Sequence, residues 1–545
     1  MITKTNTKTM TGSKAIIQTL KDFGVEKIFG YPGGIVLSLY DELYKQSDIQ
    51  HILVRHEQSA VHAAEGYARS TGKCGVVLVT SGPGATNTVT GIVNAYLDGY
   101  PLIILTGQVD KNLISKEAFQ EANICDITKS CCKKVFQVTK ADDIQNTISE
   151  AFSIALSGKK GPVLIDLAKN IFNEKIEYST KKFQENEIQA INFEDIDRII
   201  YRINNAQKPI FVAGGGVTHS QAGDELKKLS DKFGGIPIVS TMMGLGNIPK
   251  ESCNFFGMIG IFGDNSANQL IKESDLIVSF GARFNDRITC IFDDTDLEAK
   301  IIKIDINDKE ISKTIKPLDY IVGDIKNILK LTNKSENYIF NNFSKWNKEA
   351  QNLKKLNKPN SKETNMLHSY EVISKIDEYT KDKNIIFTTE VGQHQIWAAK
   401  NLTLNNNRKI LLSGGLGTMG FGLPAAIGAA IGNPDKTIIC ITGDGSFQMS
   451  IPELATCKEQ NLDIKIIIMN NGYLGMVRQL QQKNYEGRYY ETKIHNPNFI
   501  KLAQSYGINA TKINSVNNIE KALEKSFSSR DTYIIDFGIE PMEVI

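Results

Sequence analysis

Short runs of β-branched and apolar residues alternate along most of the chain with longer stretches of helical periodicity. The clearest runs are HILV (51–54), GVVLVT (75–80), PLIILTG (101–107), PVLIDL (162–167), PIFVAGGG (209–216), DLIVSFG (275–281), TIICITGDG (437–445) and IKIIIMNN (464–471). Strands this uniformly apolar are buried on both faces, and strands separated by helices build parallel sheets covered by helices. The fold class is therefore α/β. Two stretches break the rhythm: residues 171–195 are polar and weakly periodic, and residues 332–366 are rich in Lys and Asn, with a helical middle. Read as connections, they leave three doubly wound parallel-sheet domains, at about 1–175, 190–335 and 365–545. GVVLVTSGPGATNTVTG and TIICITGDGSFQMSIPE set a strand, a Thr, a tight Gly turn and a helix start in one order. Duplication of one fold between the first and last domains follows as an expectation.

Composition narrows the class. A net charge of +2 gives no general attraction for nucleic acid or an anionic membrane surface. No run of eighteen apolar residues exists to span a bilayer, and MITKTNTKTMTGSKAII has neither an apolar signal core nor transit character. The eight cysteines are scattered without a Cys-x-x-Cys pair, which fits reduced thiols in a cytoplasmic protein.

The most specific chemistry is GDG at 443–445, followed after 24 residues by Asn470 and Asn471. Asp444 ends an apolar strand, so its carboxylate emerges where open α/β sheets bind ligands. Gly443 and Gly445 admit a phosphate close to the backbone, and SFQMSIPELATCKEQ, opened by Ser446, is expected to be one helix whose N-terminal amides favour an anion. A second strand, IKIIIM, brings the asparagines to the same edge. One carboxylate, one amide oxygen and a backbone carbonyl suit Mg²⁺ shared with phosphates. Gly, Asp and Asn also dominate ordinary turns, but the pairing behind two strands is harder to explain that way.

This pairing is the thiamine-diphosphate fingerprint, and the sequence resembles the large, catalytic subunits of acetolactate (acetohydroxyacid) synthases over nearly its whole length. The resemblance is carried by FGYPGG (29–34), RHEQSAVHAAEGYAR (55–69), TSGPGATN (80–87), EAFQE (117–121), GARFNDR (281–287), EVGQHQ (390–395), GLGTMGFGLPAAIGAA (415–430) and NNGYLGMV (470–477). It implies a first domain for the thiamine pyrimidine, a central flavin-type domain, and a last domain for diphosphate and metal. It also implies decarboxylation of pyruvate and ligation of the two-carbon unit to a second 2-keto acid, pyruvate or 2-ketobutyrate, as the first common step of branched-chain amino-acid biosynthesis. Glu57, which opens a helix with apolar positions at Ala60, Val61, Ala64 and Ala68, falls on the glutamate that activates the aminopyrimidine. Thr80, Pro83, Asn87 and Gln120 match pyrimidine-side contacts. Gln393, His394, Gly417, Met419, Gly443, Gly445 and Ser446 match the diphosphate side and the bend of the cofactor. Asp444, Asn471 and Tyr473 form the implied Mg²⁺ set. Lys169 and Arg287, with Phe119 and Gln120, match the substrate channel. Family members assemble as homodimers or tetramers with sites shared between subunits, and a small regulatory subunit is a further implied partner.

The same resemblance implies a non-redox FAD held by Lys159, Gly214, Gly215, Thr241, Met242, Gly260, Phe262, Gly263, Gly281, Arg283, Asp286, Arg287, Asp305, Ile306 and Asp324. Departures from the family pattern are Phe262 for His, Asn285 for Asp, Lys159 for Arg, Asp110 and Ala168 for Pro, Leu480 for Trp, and an end at EPMEVI where relatives carry a tail over the site. Other readings are another thiamine-diphosphate enzyme, such as a pyruvate decarboxylase, pyruvate oxidase or glyoxylate carboligase, and an inactive paralogue acting as an assembly subunit. Glu57 speaks against the carboligase, whose family lacks it, and Arg287 with Lys169 against simple decarboxylation.

Overall fold

The computed structural model describes residues 8–180, 191–292, 298, 300–334, 338–355 and 366–545. Contacts divide the chain into two compact units. The first is Met1–Asn186, Ile386–His394 and Leu411–Met542; the second is Glu187–Ile385, Gln395–Ile410 and Glu543–Ile545.

The N-terminal sheet has six strands: Lys27–Tyr31, Gln50–Leu53, Gly75–Val79, Leu102–Gln108, Lys134–Val138 and Pro162–Ala168. Side by side they run second, first, third, fourth, sixth, fifth, with every pair parallel. The C-terminal sheet consists of Ile385–Thr389, Arg408–Leu412, Thr437–Gly443, Ile464–Asn470, Asn509–Ile513 and Tyr533–Gly538, and repeats that order. Central strands such as Ile464–Asn470 are buried except at the last residue and apolar but for Lys465 and the terminal Asn470, close to what the sequence pattern requires.

Helix Glu57–Thr71 forms because His56 caps it, accepting from Gln58 N at 3.1 Å, and Glu57 stands in its first turn, where the helix dipole favours a negative charge. Ala60, Val61, Ala64 and Ala68 are buried on its inner face. Much of that face packs on the almost wholly buried helix Gly422–Gly432. A methyl group at Gly428 would lie 1.8 Å from Ala63 O, so this crossing tolerates only glycine there.

Two local expectations are corrected. The segment after GDG is not one helix: it forms Asp444–Gln448, a single turn at Ile451–Glu453 and a helix at Leu454–Glu459. Pro452 lacks an N–H and crowds the residue before it, which breaks a continuous helix. The polar stretch from 171 is not all connection, because Lys175–Tyr178 pairs antiparallel with Lys8–Thr11. Residues 181–190 of that stretch, and 335–337 and 356–365 of the second, lie outside the described residues. The second stretch carries helix Ser344–Lys355.

The second unit is built on Pro209–Ala213, Ile238–Ser240, Phe255–Met258, Leu276–Phe280, Ile301–Asp305 and Asp319–Val322, in the order third, second, first, fourth, fifth, sixth. Its core is largely Ile and Phe, including Ile210, Phe211, Phe233, Ile277 and Phe280. All eight cysteines are free. Among the described residues no helix is long and apolar enough to cross a membrane.

Candidate functional site

An open parallel sheet binds ligands beyond the carboxyl ends of its strands, where neighbouring strands send their connections to opposite faces. That point lies between the first and third strands of the N- and C-terminal sheets, and between the first and fourth of the central sheet. Each of the three sheets has sequence-predicted residues there.

In the N-terminal sheet the third strand ends at Val79 and presents Thr80 and Ser81, both buried. Their hydroxyls have no hydrogen-bond partner among the described residues. Glu57 Oε2 accepts from Asn87 Nδ2 at 2.9 Å. Pro83 starts the turn Pro83–Thr86, and a methyl at Gly84 would lie 2.7 Å from Thr80 Cγ2 and 3.6 Å from Glu57 Oε1. Glu57, Thr80, Pro83 and Asn87 are thus brought together. Gln120 joins them from the following loop, at a left-handed φ of 58°, with its carbonyl 2.8 Å from where a Cβ on Gly82 would stand. Glu121 braces that loop by accepting from Ala118 N at 3.0 Å and Lys116 N at 3.3 Å, and also from Ser115 N. Gln108 Nε2 holds its far end, donating to Ala122 O at 2.8 Å and Asp166 Oδ2 at 3.0 Å. Phe119 is 89% exposed, and Lys169 is exposed at the opening of the turn Lys169–Phe172. Two buried, unsatisfied hydroxyls beside a carboxylate fit a polar heterocycle that supplies the missing hydrogen bonds.

In the C-terminal sheet Glu390 follows the first strand and is buried, accepting from Gly422 N at 2.5 Å and from Thr442 Oγ1. His394 Nε2 is buried, stands 3.4 Å from Glu390 Oε1 and has no hydrogen-bond partner among the described residues. Its ring lies on Gly443, where a methyl would be 2.8 Å from Nδ1. Asp444 is buried. Its Oδ2 accepts from Gly472 N at 2.8 Å and Asn496 Nδ2 at 2.7 Å. Burial raises its carboxyl above the usual aspartate range, with these donors opposing. Asn471 Oδ1 accepts from Tyr473 N at 3.0 Å, and Asn471 Nδ2 reaches Gln393 Oε1 at 3.5 Å. Gln393 Nε2 donates to Gln479 Oε1 at 2.8 Å. Leu474 Cδ2, Ile494 Cδ1 and Met419 Cε lie 3.0, 3.4 and 3.7 Å from where a Cβ on Gly445 would stand, so that glycine keeps a narrow cleft open beside buried Ser446. Gly417 takes a left-handed φ of 71° two residues before Met419. Among the described residues no three His, Cys, Asp or Glu side chains gather as a metal site. The oxygen donors here are instead one carboxylate, carboxamides and backbone, a set that fits Mg²⁺ bridged to phosphates.

The central sheet places Gly214 and Gly215 after its first strand and Gly281 after its fourth. Gly214 N donates to Phe280 O at 2.9 Å and Gly216 N to Gly281 O at 3.1 Å. Gly281 has φ 64° and a methyl there would meet Gly216 Cα at 2.4 Å, so the two turns abut backbone to backbone. Thr241 N donates to Ala213 O at 3.0 Å, and Met242 opens the next turn. Gly263 N donates to Gly260 O at 2.8 Å, and Ile261 N to Arg287 O at 2.8 Å, with half-buried Phe262 between them. Asp286 and Arg287, both exposed, start a short helix, and Arg283 O accepts from Thr314 Oγ1 at 2.8 Å. Asp305 and Asp324 each accept a backbone N–H at 2.9 Å, from Asn307 and Asn327, with Ile306 partly exposed beside the first. Strand order and paired glycine turns fit a dinucleotide-type ligand. Lys159 lies in the first unit, its ammonium 5.9 Å from the Tyr96 ring.

Glu390 and Asn496 were not singled out in the sequence. Glu390 stands in EVGQHQ, where its position after a strand was the available signal; Asn496, in HNPN, reads only as a turn.

Comparison with known proteins gives the family. Residues 10–127, 196–331 and 390–537 match three family profiles: the N-terminal TPP binding domain, the central domain and the C-terminal TPP binding domain of thiamine pyrophosphate enzymes. The chain is 39% identical to an acetolactate synthase large subunit of Haemophilus influenzae, covering 98% of this chain and 96% of that protein. It is 42% identical to a probable acetolactate synthase large subunit of Methanococcus aeolicus, covering 98% and 93%. An acetolactate synthase large subunit of Lactococcus lactis is 41% identical over 93% of this chain and 89% of its own. With identities at this level over nearly full length, the chain belongs to the acetolactate synthase large-subunit family of thiamine-diphosphate enzymes.

Proposed function

We propose that the chain is the catalytic subunit of an acetolactate synthase, joining two molecules of pyruvate into acetolactate with loss of carbon dioxide and accepting 2-ketobutyrate less readily. The observation that carries the reading is the pair of complementary clusters at the same switch point of two like sheets: Glu57 with Thr80 and Asn87, and Asp444 with Asn471 and His394. Thiamine diphosphate, when bound, supplies the carbanion stabilisation that cleavage beside a ketone needs. The chain's own part is to hold and orient. Glu57 meets the pyrimidine, with Thr80, Pro83, Asn87 and Gln120 around it. Asp444, Asn471 and the Tyr473 carbonyl take Mg²⁺, while Gln393, His394, Gly443, Gly445 and Ser446 receive the diphosphate. Lys169 and Arg287 offer cations to the carboxylates of the substrates.

The same reading assigns three domains, with bounds near 1–175, 190–335 and 365–545, a homodimer or tetramer as the working form, and FAD to the central sheet without a redox role. Phe262, Asn285 and Lys159, in place of the family's His, Asp and Arg, weaken the flavin site. A purified sample should therefore take up FAD in dialysis but release it on dilution, and a colourless sample that takes up none refutes the flavin assignment. The deciding assay is pyruvate consumption with and without thiamine diphosphate and Mg²⁺, with product analysis. Acetolactate supports the reading, whereas acetaldehyde, acetyl phosphate, tartronate semialdehyde or no turnover overturns it.

A further inference from the structure

Asn470 and Asn471 reach the metal edge side by side in sequence, yet their side chains are used differently. Asn470 Nδ2 donates to buried Asp536 at 2.9 Å, and its Oδ1 accepts from Asn496 Nδ2 at 2.9 Å. Both ends of that amide are engaged within the protein. Asn471 Oδ1 accepts from Tyr473 N, two residues on in the same turn. Asn496 arrives from the far side of the edge, 52 positions beyond Asp444. Its Nδ2 donates to Asp444 Oδ2 at 2.7 Å as well as to Asn470, and its Oδ1 accepts from Gln448 Nε2 at 2.9 Å. These three bonds use both amide hydrogens and the oxygen, so they fix which way the amide faces: a flipped amide would set an oxygen against the carboxylate. With Gly472 N as second donor, Asp444 Oδ2 is clamped from two sides.

We propose that Asn496 is the positioning residue of the metal edge: it clamps Asp444 and occupies Asn470, so that cation affinity depends on a side chain that never touches the cation. The inference rests on the reading of Asp444 as a metal ligand. Partners that orient a metal ligand are worth about 10–100-fold in metal affinity. They act by keeping the ligand in its binding rotamer, so the cation does not meet the cost of freezing it.

The test is Mn²⁺ binding to the dialysed full-length protein with stoichiometric thiamine diphosphate, read from loss of the free-ion electron paramagnetic resonance signal. Asn496→Ala should bind about 10–100-fold more weakly, while the melting midpoint of the cofactor-free protein stays within about 2 °C of the parent. Gln448→Ala, which frees the Asn496 amide to rotate and also removes a long 3.4 Å bond to Asp444 O, should show a smaller loss of the same kind. Asp444→Ala serves as the reference for the underlying reading and should bind no Mn²⁺ at the site. Parental affinity in both Asn496→Ala and Gln448→Ala, beside a deficient Asp444→Ala, overturns the inference and leaves the metal assignment standing. A lowered melting midpoint with parental Mn²⁺ affinity means a structural role and overturns it too. Parental affinity in Asp444→Ala removes the metal reading and this inference with it.

Discussion

The N- and C-terminal sheets share more than strand order. Each carries a buried aspartate on its sixth strand, Asp166 and Asp536, in register with Thr106 and Ile468 on the fourth. Two residues further along the fourth strand, Gln108 and Asn470 pair with Ala168 and Gly538. Gln108 and Asn470 each donate a side-chain amide to the aspartate, at 3.0 and 2.9 Å. Burial raises both carboxyls. Beyond that shared frame the two halves part. Gln108 reaches on to Ala122 O and so fastens the loop of Gln120, whereas the Asn470 oxygen receives Asn496 and, through it, Asp444. One frame thus anchors a loop beside two unsatisfied hydroxyls and a carboxylate, and in the other half an oxygen-rich edge suited to a cation. The common register supports duplication of one fold; the difference locates the chemistry in what each frame anchors.

The sharpest way to break this comparison is to change Glu57, in whose place the C-terminal half offers an oxygen-rich edge. Glu57→Gln keeps the shape and can still meet Asn87, but loses the charge. Turnover should fall by about 10²–10⁴-fold, with thiamine diphosphate affinity little changed. An enzyme that keeps most of its activity would show that the N-terminal cluster only binds.

Next in size is the ionic cluster that ties the halves of the first unit together. Arg69 Nη2 bonds Glu65 Oε1 and Asp98 Oδ2, each at 2.5 Å, with all three side chains buried. Asp98 also accepts from Gly414 and Gly415 N at 3.1 and 2.7 Å, and Asn94 Oδ1 from Ser413 and Thr418 hydroxyls at 2.6 and 3.0 Å. This fixes the turn that leads to Met419. Arg69→Ala strands two buried carboxylates and should cost about 3–5 kcal/mol of stability. Urea unfolding of the cofactor-free protein measures it, and a loss under about 1 kcal/mol, the range of an exposed pair, would mean the cluster is solvated.

The two buried aspartates give a pH test of the frame itself. Burial is the largest influence on Asp166 and pushes it from 3.8 up to about 6, against hydrogen bonds from Thr106, Gln108 and Gln137. A raised carboxyl binds its proton more tightly folded than unfolded. The stability it contributes is therefore complete below 3.8 and lost as pH rises to about 6, by about 3 kcal/mol at most. Asp166→Asn has no such titration, so the difference in unfolding free energy between it and the parent should change between pH 4 and pH 6.5 by roughly that amount. A constant difference across the range would show that Asp166 is ionised and solvated.

The strands were readable because runs such as TIICIT and IKIIIM are almost wholly β-branched or apolar, and each of the quoted runs overlaps an observed strand. Lys8–Thr11 and Lys175–Tyr178 escaped because four-residue strands with exposed positions carry no such run. The break at Pro452 had its signal in the sequence, outweighed there by the helical spacing around it. Asp444 stood out through the strand before it and the glycines beside it. Asn496 could not, since its importance lies in hydrogen bonds to residues 26 and 52 positions away. The Asp–amide pairs were hidden for the same reason: single polar residues in apolar strands acquire meaning only when the register sets them opposite each other.

The smallest effect concerns Leu480, which lies on helix Gly475–Asn484 just after the metal edge and is 44% exposed. The family resemblance implies a Trp at this position beside the acceptor pocket, where it would favour 2-ketobutyrate over pyruvate. The two acceptors differ by one methylene, which a hydrophobic pocket rewards by only about 1–3 kcal/mol. Leu offers less flat surface than an indole to cover that carbon, so most of the reward should be missing here. The enzyme should accordingly make mainly acetolactate when both acceptors are present at equal concentration, and Leu480→Trp should shift the ratio toward acetohydroxybutyrate by about 10-fold, the equivalent of roughly 1.4 kcal/mol. A parent that already prefers 2-ketobutyrate strongly, or a ratio unmoved by Trp, would mean that Leu480 only packs against its own helix and that another side chain sets the pocket.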